Sequence, residues 1–295
     1  MAVFGRVLTA MATPFDESGA MNWEQVGALA KRLVENGSDG IVVAGTTGES
    51  PTLSDEEKIR LFRAVKETVG GRAVVVAGAG TYDTKHSIHL TKEAERAGCD
   101  GLLLVNPYYN RPSQDGLYAH FRTIAESTNL PCMLYNIPGR TGVNCLPETI
   151  ARLADVPNII AVKEASGSLD QVSDIRRRTK KDFLIYSGDD SLTLPILAVG
   201  GAGIVSVASH LVGREIQQMV RAFEQGEVAR ALQLHLRLLP LFKVLFITTN
   251  PVPLKAALNL SGINVGKPRL PLVEATAKEK EQIQAVLNEL ALAAV

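Results

Sequence analysis

The chain has 295 residues, 46% of them hydrophobic, and its 31 basic side chains are balanced by 31 acidic ones. That is enough for one large domain, and the zero formal charge leaves no electrostatic footprint for nucleic acid or an anionic membrane. No apolar run approaches the roughly 18 residues of a membrane span, and no solenoid repeat or Pro/Gly/Ser linker divides the chain.

Cys99, Cys132 and Cys145 form no C-x-x-C pair, and no basic-then-apolar leader opens the chain. A cytoplasmic, reducing setting without a disulfide framework is therefore expected.

Eight apolar, β-branched-rich runs recur at 6–15, 39–45, 73–80, 101–108, 131–138, 159–166, 183–190 and 203–210, each followed by an amphipathic helical pattern. Runs apolar throughout mark strands covered on both faces. Eight such units predict an α/β fold, a closed parallel (β/α)8 barrel. A doubly wound sheet would carry fewer strands and a dinucleotide fingerprint.

The helical segment 22–37 carries Leu29, Leu33 and Val34 on one face. Ser54-Asp55-Glu56-Glu57 is a capping box opening 54–69, and Trp23 is read as helix packing. The pattern at 83–97 ends at Gly98, two residues before the next strand. After the eighth strand the alternation stops, and 212–226, 227–246, 251–261 and 273–293 read as helices. The predicted division is a catalytic barrel over 1–225 and a C-terminal helical region over 226–295. Asn250-Pro251-Val252-Pro253 marks a corner inside that region.

A barrel of this kind works at the C-terminal ends of its strands. There the second strand runs into Gly45-Thr46-Thr47-Gly48-Glu49-Ser50, a loop able to turn N–H groups and hydroxyls toward a small anion. The fourth ends in Asn106-Pro107-Tyr108-Tyr109-Asn110-Arg111-Pro112 and the fifth in Tyr135-Asn136-Ile137-Pro138-Gly139-Arg140-Thr141-Gly142. Each offers a phenol and an arginine.

The sixth, Asn158 to Ala165, carries one lysine, Lys163, in an otherwise apolar run. An amine taken out of water is more easily neutral, so it can attack a carbonyl and form a Schiff base whose iminium withdraws electrons from the next carbon. Tyrosine hydroxyls joined by a threonine can carry the protons. That is aldolase-type chemistry.

His86 and His89 sit three apart on a helix of the outer ring with no third ligand in sight, so no metal is expected. Gly78-Ala79-Gly80 and Gly200-Gly201-Ala202-Gly203 lack the Rossmann context, and no redox cofactor is called for. Asp189 and Asp190 are expected to cap the next helix, and Glu49 and Glu164 to hold their loops through backbone hydrogen bonds.

From about residue 4 to beyond 265 the chain resembles the pyruvate-dependent class I aldolases of the dihydrodipicolinate synthase and N-acetylneuraminate lyase family. The resemblance is carried by the three loops quoted above together with Val162-Lys163-Glu164-Ala165-Ser166-Gly167 and Ser187-Gly188-Asp189-Asp190. It implies that Lys163 forms the Schiff base with pyruvate and that Tyr135 donates and accepts protons. Thr46 and Tyr109 complete a hydroxyl relay, Tyr109 reaching a neighbouring subunit.

The resemblance also implies that Thr47 and the backbone at Val205 hold pyruvate. Arg140 receives the carboxylate of L-aspartate 4-semialdehyde, for which a guanidinium fork is suited. The implied product is 4-hydroxy-tetrahydrodipicolinate, at the entry to diaminopimelate and lysine biosynthesis, made by a homotetramer of dimers without a cofactor.

Lysine-inhibited members build their allosteric site from two histidines, an asparagine, a glutamate and a tyrosine. Here the corresponding places hold Asp55, Lys58, Tyr82 and His86, with Tyr108 and Ser50 retained, so little feedback by lysine is expected. Two other readings are a sibling aldolase cleaving a 2-keto-3-deoxy sugar acid and a non-catalytic barrel that binds a keto acid; the second has no need of a buried nucleophile.

Overall fold

Each of the eight apolar runs contains a strand in the computed structural model, which describes residues 3–292. They are β1 Val7–Ala10, β2 Gly40–Val43, β3 Val74–Gly78, β4 Gly101–Val105, β5 Cys132–Asn136, β6 Ile159–Glu164, β7 Leu184–Ser187 and β8 Gly203–Ser206. All neighbours pair in parallel in chain order, and β8 returns to β1 through Leu8 opposite Val205, which closes the barrel. The (β/α)8 expectation holds.

Successive residues face opposite ways, so each strand is covered twice. Leu8, Val42, Val76, Leu103, Met133 and Val205 fill the interior, while Ile41, Val43, Val75, Leu102 and Leu134 pack outward against the helices. Both faces being apolar is what makes the runs continuous in the sequence. Truncating one outward residue, such as Leu134→Ala, costs about 2–5 kcal/mol.

The helices are α1 Trp23–Glu35, α2 Asp55–Val69, α3 Thr84–Arg96, α4 Gln114–Ala125, α5 Pro138–Thr141, α6 Pro147–Leu153, α7 Leu169–Arg178, α8 Thr193–Ala198, α9 Ser209–Glu224, α10 Val228–Val244, α11 Val252–Leu260 and α12 Ala277–Glu289. The capping box forms as expected: Glu57 N donates to Ser54 Oγ at 3.2 Å, and Ser54 N donates to Glu57 Oε2 at 3.0 Å. Asp55, Glu56 and Glu57 add negative charge to the positive end of α2.

Three expectations are refined. The first apolar run yields only four strand residues, because beyond Met11 the chain turns across the barrel mouth and pairs again only where Phe15 meets Met21. The helix expected from 212 begins at Ser209, with a kink at Val212 where φ is −127°. That from 273 begins at Ala277, where Thr276 and Glu279 make a second capping box; residue 293 lies outside the described residues. Past Gly226, α10 packs on α9 and α12, and α11 on α12. The turn between α10 and α11 comes back over the strand ends, which is how a segment late in the chain reaches the mouth of the barrel.

Candidate active site

Lys163 occupies the fifth of six positions in β6, directly between Tyr135 of β5 and Tyr186 of β7. Register alone therefore sets a tyrosine on either side of the lysine. Lys163 is 5% exposed and Tyr135 4%, and Lys163 Nζ lies 4.2 Å from the centre of the Tyr135 ring. A Cβ at position 188 would lie 3.2 Å from Lys163 Cε and 2.7 Å from Ala165 Cβ, so Gly188 leaves the room this stem occupies. Tyr186 points down, its hydroxyl donating to Gly5 O at 2.8 Å, and burial pushes its pKa up. It floors the site rather than titrating in it.

Above Tyr135 opens a cavity of about 210 Å³ lined by Thr46, Ser50, Tyr108, Tyr135, Ile137, Arg140 and Thr141 among others. Pockets for drug-sized ligands run to roughly 300–1,000 Å³, so this one suits a small metabolite. Arg140 enters it from the short helix α5, which Pro138 opens and Gly142 closes at φ +73°. The structure thus brings Thr46, Tyr135 and Arg140 to one cavity, with Lys163 beside Tyr135.

Thr47 is buried behind the loop, where its Oγ1 accepts a hydrogen bond from Asn250 Nδ2 at 3.0 Å. Val205 faces the barrel interior and its backbone pairs with Leu8. Tyr109 is not brought in: it is 94% exposed with φ +73° and projects from the rim, while Tyr108 lines the cavity. Tyr108 is half-buried, which pushes its phenol pKa up, and it meets the Tyr82 ring edge-on at 5.2 Å.

A glutamate anchors each side of the cavity. Glu164 Oε1 accepts Ser166 N at 2.7 Å, and Oε2 accepts Asn136 Nδ2 at 3.0 Å and Gln171 Nε2 at 3.2 Å. Asn136 in turn accepts from Asn106 Nδ2 at 2.7 Å and Cys145 N at 2.9 Å. Because Asn136 follows Tyr135 and Glu164 follows Lys163, this amide network clamps the two strands just beyond Tyr135 and Lys163.

Glu49, at φ +57°, pairs with Lys255 Nζ at 2.6 Å and accepts Arg269 N at 2.8 Å; both side chains of the ion pair are 1% exposed. The expected backbone bonds of both glutamates are present, but Lys255 was not foreseen. Desolvation lowers the Lys255 pKa, opposed by the Glu49 charge.

The two aspartates after β7 part company. Asp189 caps as expected, its Oδ1 accepting Ser191 N at 2.8 Å. Asp190 does not: it turns inward and accepts Ser206 Oγ, Val207 N at 3.0 Å and Ala208 N at 3.2 Å, with burial pushing its pKa up to about 6. The turn after β7 points one carboxylate at the helix start and the next at the end of β8. His86 Nε2 lies 2.9 Å from Asp55 and His89 Nε2 4.0 Å, and none of the three lines the cavity. Among the described residues no group of three or more His, Cys, Asp or Glu side chains is arranged to hold a metal ion.

Asn250, Lys255 and Arg269, which meet Thr47 and Glu49 of the β2 loop, are the neighbours of the site that sequence reasoning missed. The first was noted only as part of a helix-breaking corner. Lys255 carries the same signal as Lys163, one cation inside an apolar run, Val252-Pro253-Leu254-Lys255-Ala256-Ala257-Leu258.

A model of the dihydrodipicolinate synthetase family matches residues 3–290. The chain is 63% identical over 290 residues to the 4-hydroxy-tetrahydrodipicolinate synthase of Desulforamulus reducens, covering 98% of both chains. It is 60% identical over 289 residues to that of Moorella thermoacetica, covering 98% of this chain and 99% of the other. Among solved structures, dihydrodipicolinate synthase from Cyanidioschyzon merolae with lysine bound superposes with a TM-score of 0.98 at 50% identity, covering 99% and 100%. That from Thermotoga maritima gives 0.95 at 41%, covering 98% and 99%.

Proposed function

This chain belongs to the dihydrodipicolinate synthetase family, and we infer that Lys163 is the amine through which it works. The enzyme is a lyase that condenses pyruvate with L-aspartate 4-semialdehyde to 4-hydroxy-tetrahydrodipicolinate, the step leading into diaminopimelate and lysine biosynthesis. The observation that carries the assignment of Lys163 is its Nζ set against the Tyr135 ring in a buried strand pair beside a small cavity.

Lys163 Nζ attacks C2 of pyruvate and, with loss of water, forms an iminium. Loss of a methyl proton gives the enamine, whose carbon attacks the aldehyde carbon of the semialdehyde; the semialdehyde's amine then adds to C2 of the regenerated iminium and expels Lys163, closing the ring and freeing the amine. Tyr135 moves the protons at these steps, and Thr46, together with a Tyr109 contributed by a second copy, passes them toward solvent. Thr47 and the Val205 backbone hold pyruvate's carboxylate end; Arg140, at the cavity wall, receives the semialdehyde carboxylate.

Borohydride added with pyruvate should leave a reduced adduct on the wild type, seen by intact-mass spectrometry, and none on Lys163→Ala. No adduct on either protein would overturn the assignment. Arg140→Ala should keep the adduct while raising the KM for semialdehyde.

The working unit is a homotetramer built from dimers, in which Tyr109 reaches the cavity of a second copy. Its 94% exposure supports this, as does the exposed row Val228, Leu232 and Leu236 on α10. Sedimentation returning a monomer at micromolar concentration would overturn it. A reducing cytoplasm suits the three buried free thiols, which burial pushes up to about 12.

Feedback by lysine is weak or absent, because Lys58 puts a positive charge where an ammonium would bind, its Nζ 3.9 Å from Asp55. Inhibition of the purified enzyme by lysine at physiological concentration would refute this.

A further inference from the structure

Arg140, which lines the cavity, and Thr47, buried in the loop beside it, both end on one residue of the C-terminal region. Asn250 Nδ2 donates to Thr47 Oγ1 at 3.0 Å, and Arg140 Nη2 donates to the Asn250 backbone oxygen at 3.3 Å. Thr47 lies 203 residues away in the chain and Arg140 lies 110. Asn250 is 5% exposed, and its Oδ1 is buried without a hydrogen-bond partner. Leaving a buried carbonyl unpaired is unfavourable, and a side chain needed only for packing would serve better without it. What the amide supplies here is its N–H.

A hydroxyl has one hydrogen and two lone pairs. When Asn250 Nδ2 occupies a lone pair of Thr47, the Thr47 hydrogen is left to donate elsewhere. We propose that Asn250 is a positioning residue for the condensation: its amide fixes the direction of the Thr47 hydroxyl so that Thr47 donates to the carboxylate of pyruvate, while its backbone oxygen holds Arg140. This rests on the assignment of Thr47 to pyruvate made above. The two contacts separate cleanly, since a side-chain substitution removes the first and spares the second.

In Asn250→Ala the Thr47 hydroxyl is free to rotate and spends part of its time pointing away. The KM for pyruvate should rise roughly tenfold or more, the loss expected for a hydrogen bond to a charged group, with kcat little altered and the semialdehyde KM unchanged. Asn250→Asp keeps the shape but can only accept, so Thr47 donates to it and turns its lone pairs toward the substrate carboxylate. The isosteric variant should therefore be worse for pyruvate than alanine, which no packing role would give, and it is readable even if the alanine variant fails to fold.

Thr47→Val should raise the pyruvate KM by itself, and adding Asn250→Ala to it should raise it no further. Steady-state kinetics on the four variants decide the matter. Asn250→Asp matching the wild type, an additive double variant, or both KM values rising together would overturn the proposal and leave Thr47 in place. Thr47→Val with an unchanged pyruvate KM would instead remove the assignment of Thr47 on which the proposal rests.

Discussion

The two walls of the cavity each bury a glutamate, and they hold it by different means. On the β5–β6 wall, Glu164 meets only neutral partners, Ser166 N, Asn136 and Gln171, separated from it by 2, 28 and 7 residues. On the β2 wall, Glu49 meets the Lys255 ammonium and the Arg269 backbone, the latter 220 residues away. The first wall is a clamp between adjacent strands, set by their register. The second is a loop in left-handed backbone conformation tied down by the far end of the chain. One is local and uncharged; the other is long-range and stands on an ion pair that burial makes costly to break.

Lys255→Met breaks the contrast most severely, because it takes the paired ammonium from buried Glu49 and leaves only the more distant Arg269 charge. Stability should fall by about 3–5 kcal/mol, read as a lower urea midpoint, and a double variant with Glu49→Gln should recover much of it. Unchanged stability in Lys255→Met would mean that the pair does not hold the wall.

A third clamp, at the end of β8, responds to pH. His210 Nε2 accepts Ala12 N at 3.1 Å and Nδ1 donates to Val207 O at 2.8 Å, and burial lowers its pKa from 6.5 to about 4. His120, buried between α3 and α4, is lowered to about 4 as well. The neutral form is the folded one, so this stability is complete above pH 6.5 and is lost as pH falls toward 4.

Asp190, pushed up from 3.8 to about 6, has the opposite sign: its stability is complete below 3.8 and lost as pH rises toward 6. Each shift amounts to roughly 3 kcal/mol. With two histidines against one aspartate, the wild type should lose stability between pH 6.5 and 4. His210→Gln should flatten that slope, and urea melts across the window in which it steepened would contradict the opposed titrations.

Glu164→Gln should have the smallest effect. The new amide still accepts one bond but turns its NH2 toward the donors of Asn136, Gln171 or Ser166, for a loss of about 1–3 kcal/mol. A larger loss than in Lys255→Met would invert the comparison of the two walls. Equilibrium unfolding of both variants under one condition checks it.

Much of the β5–β6 wall was legible beforehand. Lys163 stood out as a charge in an apolar strand, and Tyr135 as a phenol at a strand end. Both signals are local, because burial on two faces leaves a composition that any interruption disturbs. Glu49 and Glu164 were seen as loop anchors, but only half of the β2 wall could be anticipated. Its loop composition announced an anion site, while Asn250 and Lys255 looked like parts of a corner and a helix. Asp189 and Asp190 are chemically alike in sequence, and only the turn after β7 separates the cap from the buried acceptor.

The sequence by itself determined the eight strands, their closure into a barrel, the capping of α2 and the lysine on β6, since each follows from which side chains water excludes or which N–H groups need a partner within a few residues. Only the tertiary structure decided that Tyr109 points outward, that Tyr186 seals the floor, and that Asn250 and Lys255 cross some 200 residues to support the loop after β2. Those contacts depend on where the closing barrel and the helices packed on α9 carry the late chain, and no periodicity in the residues themselves encodes that distance.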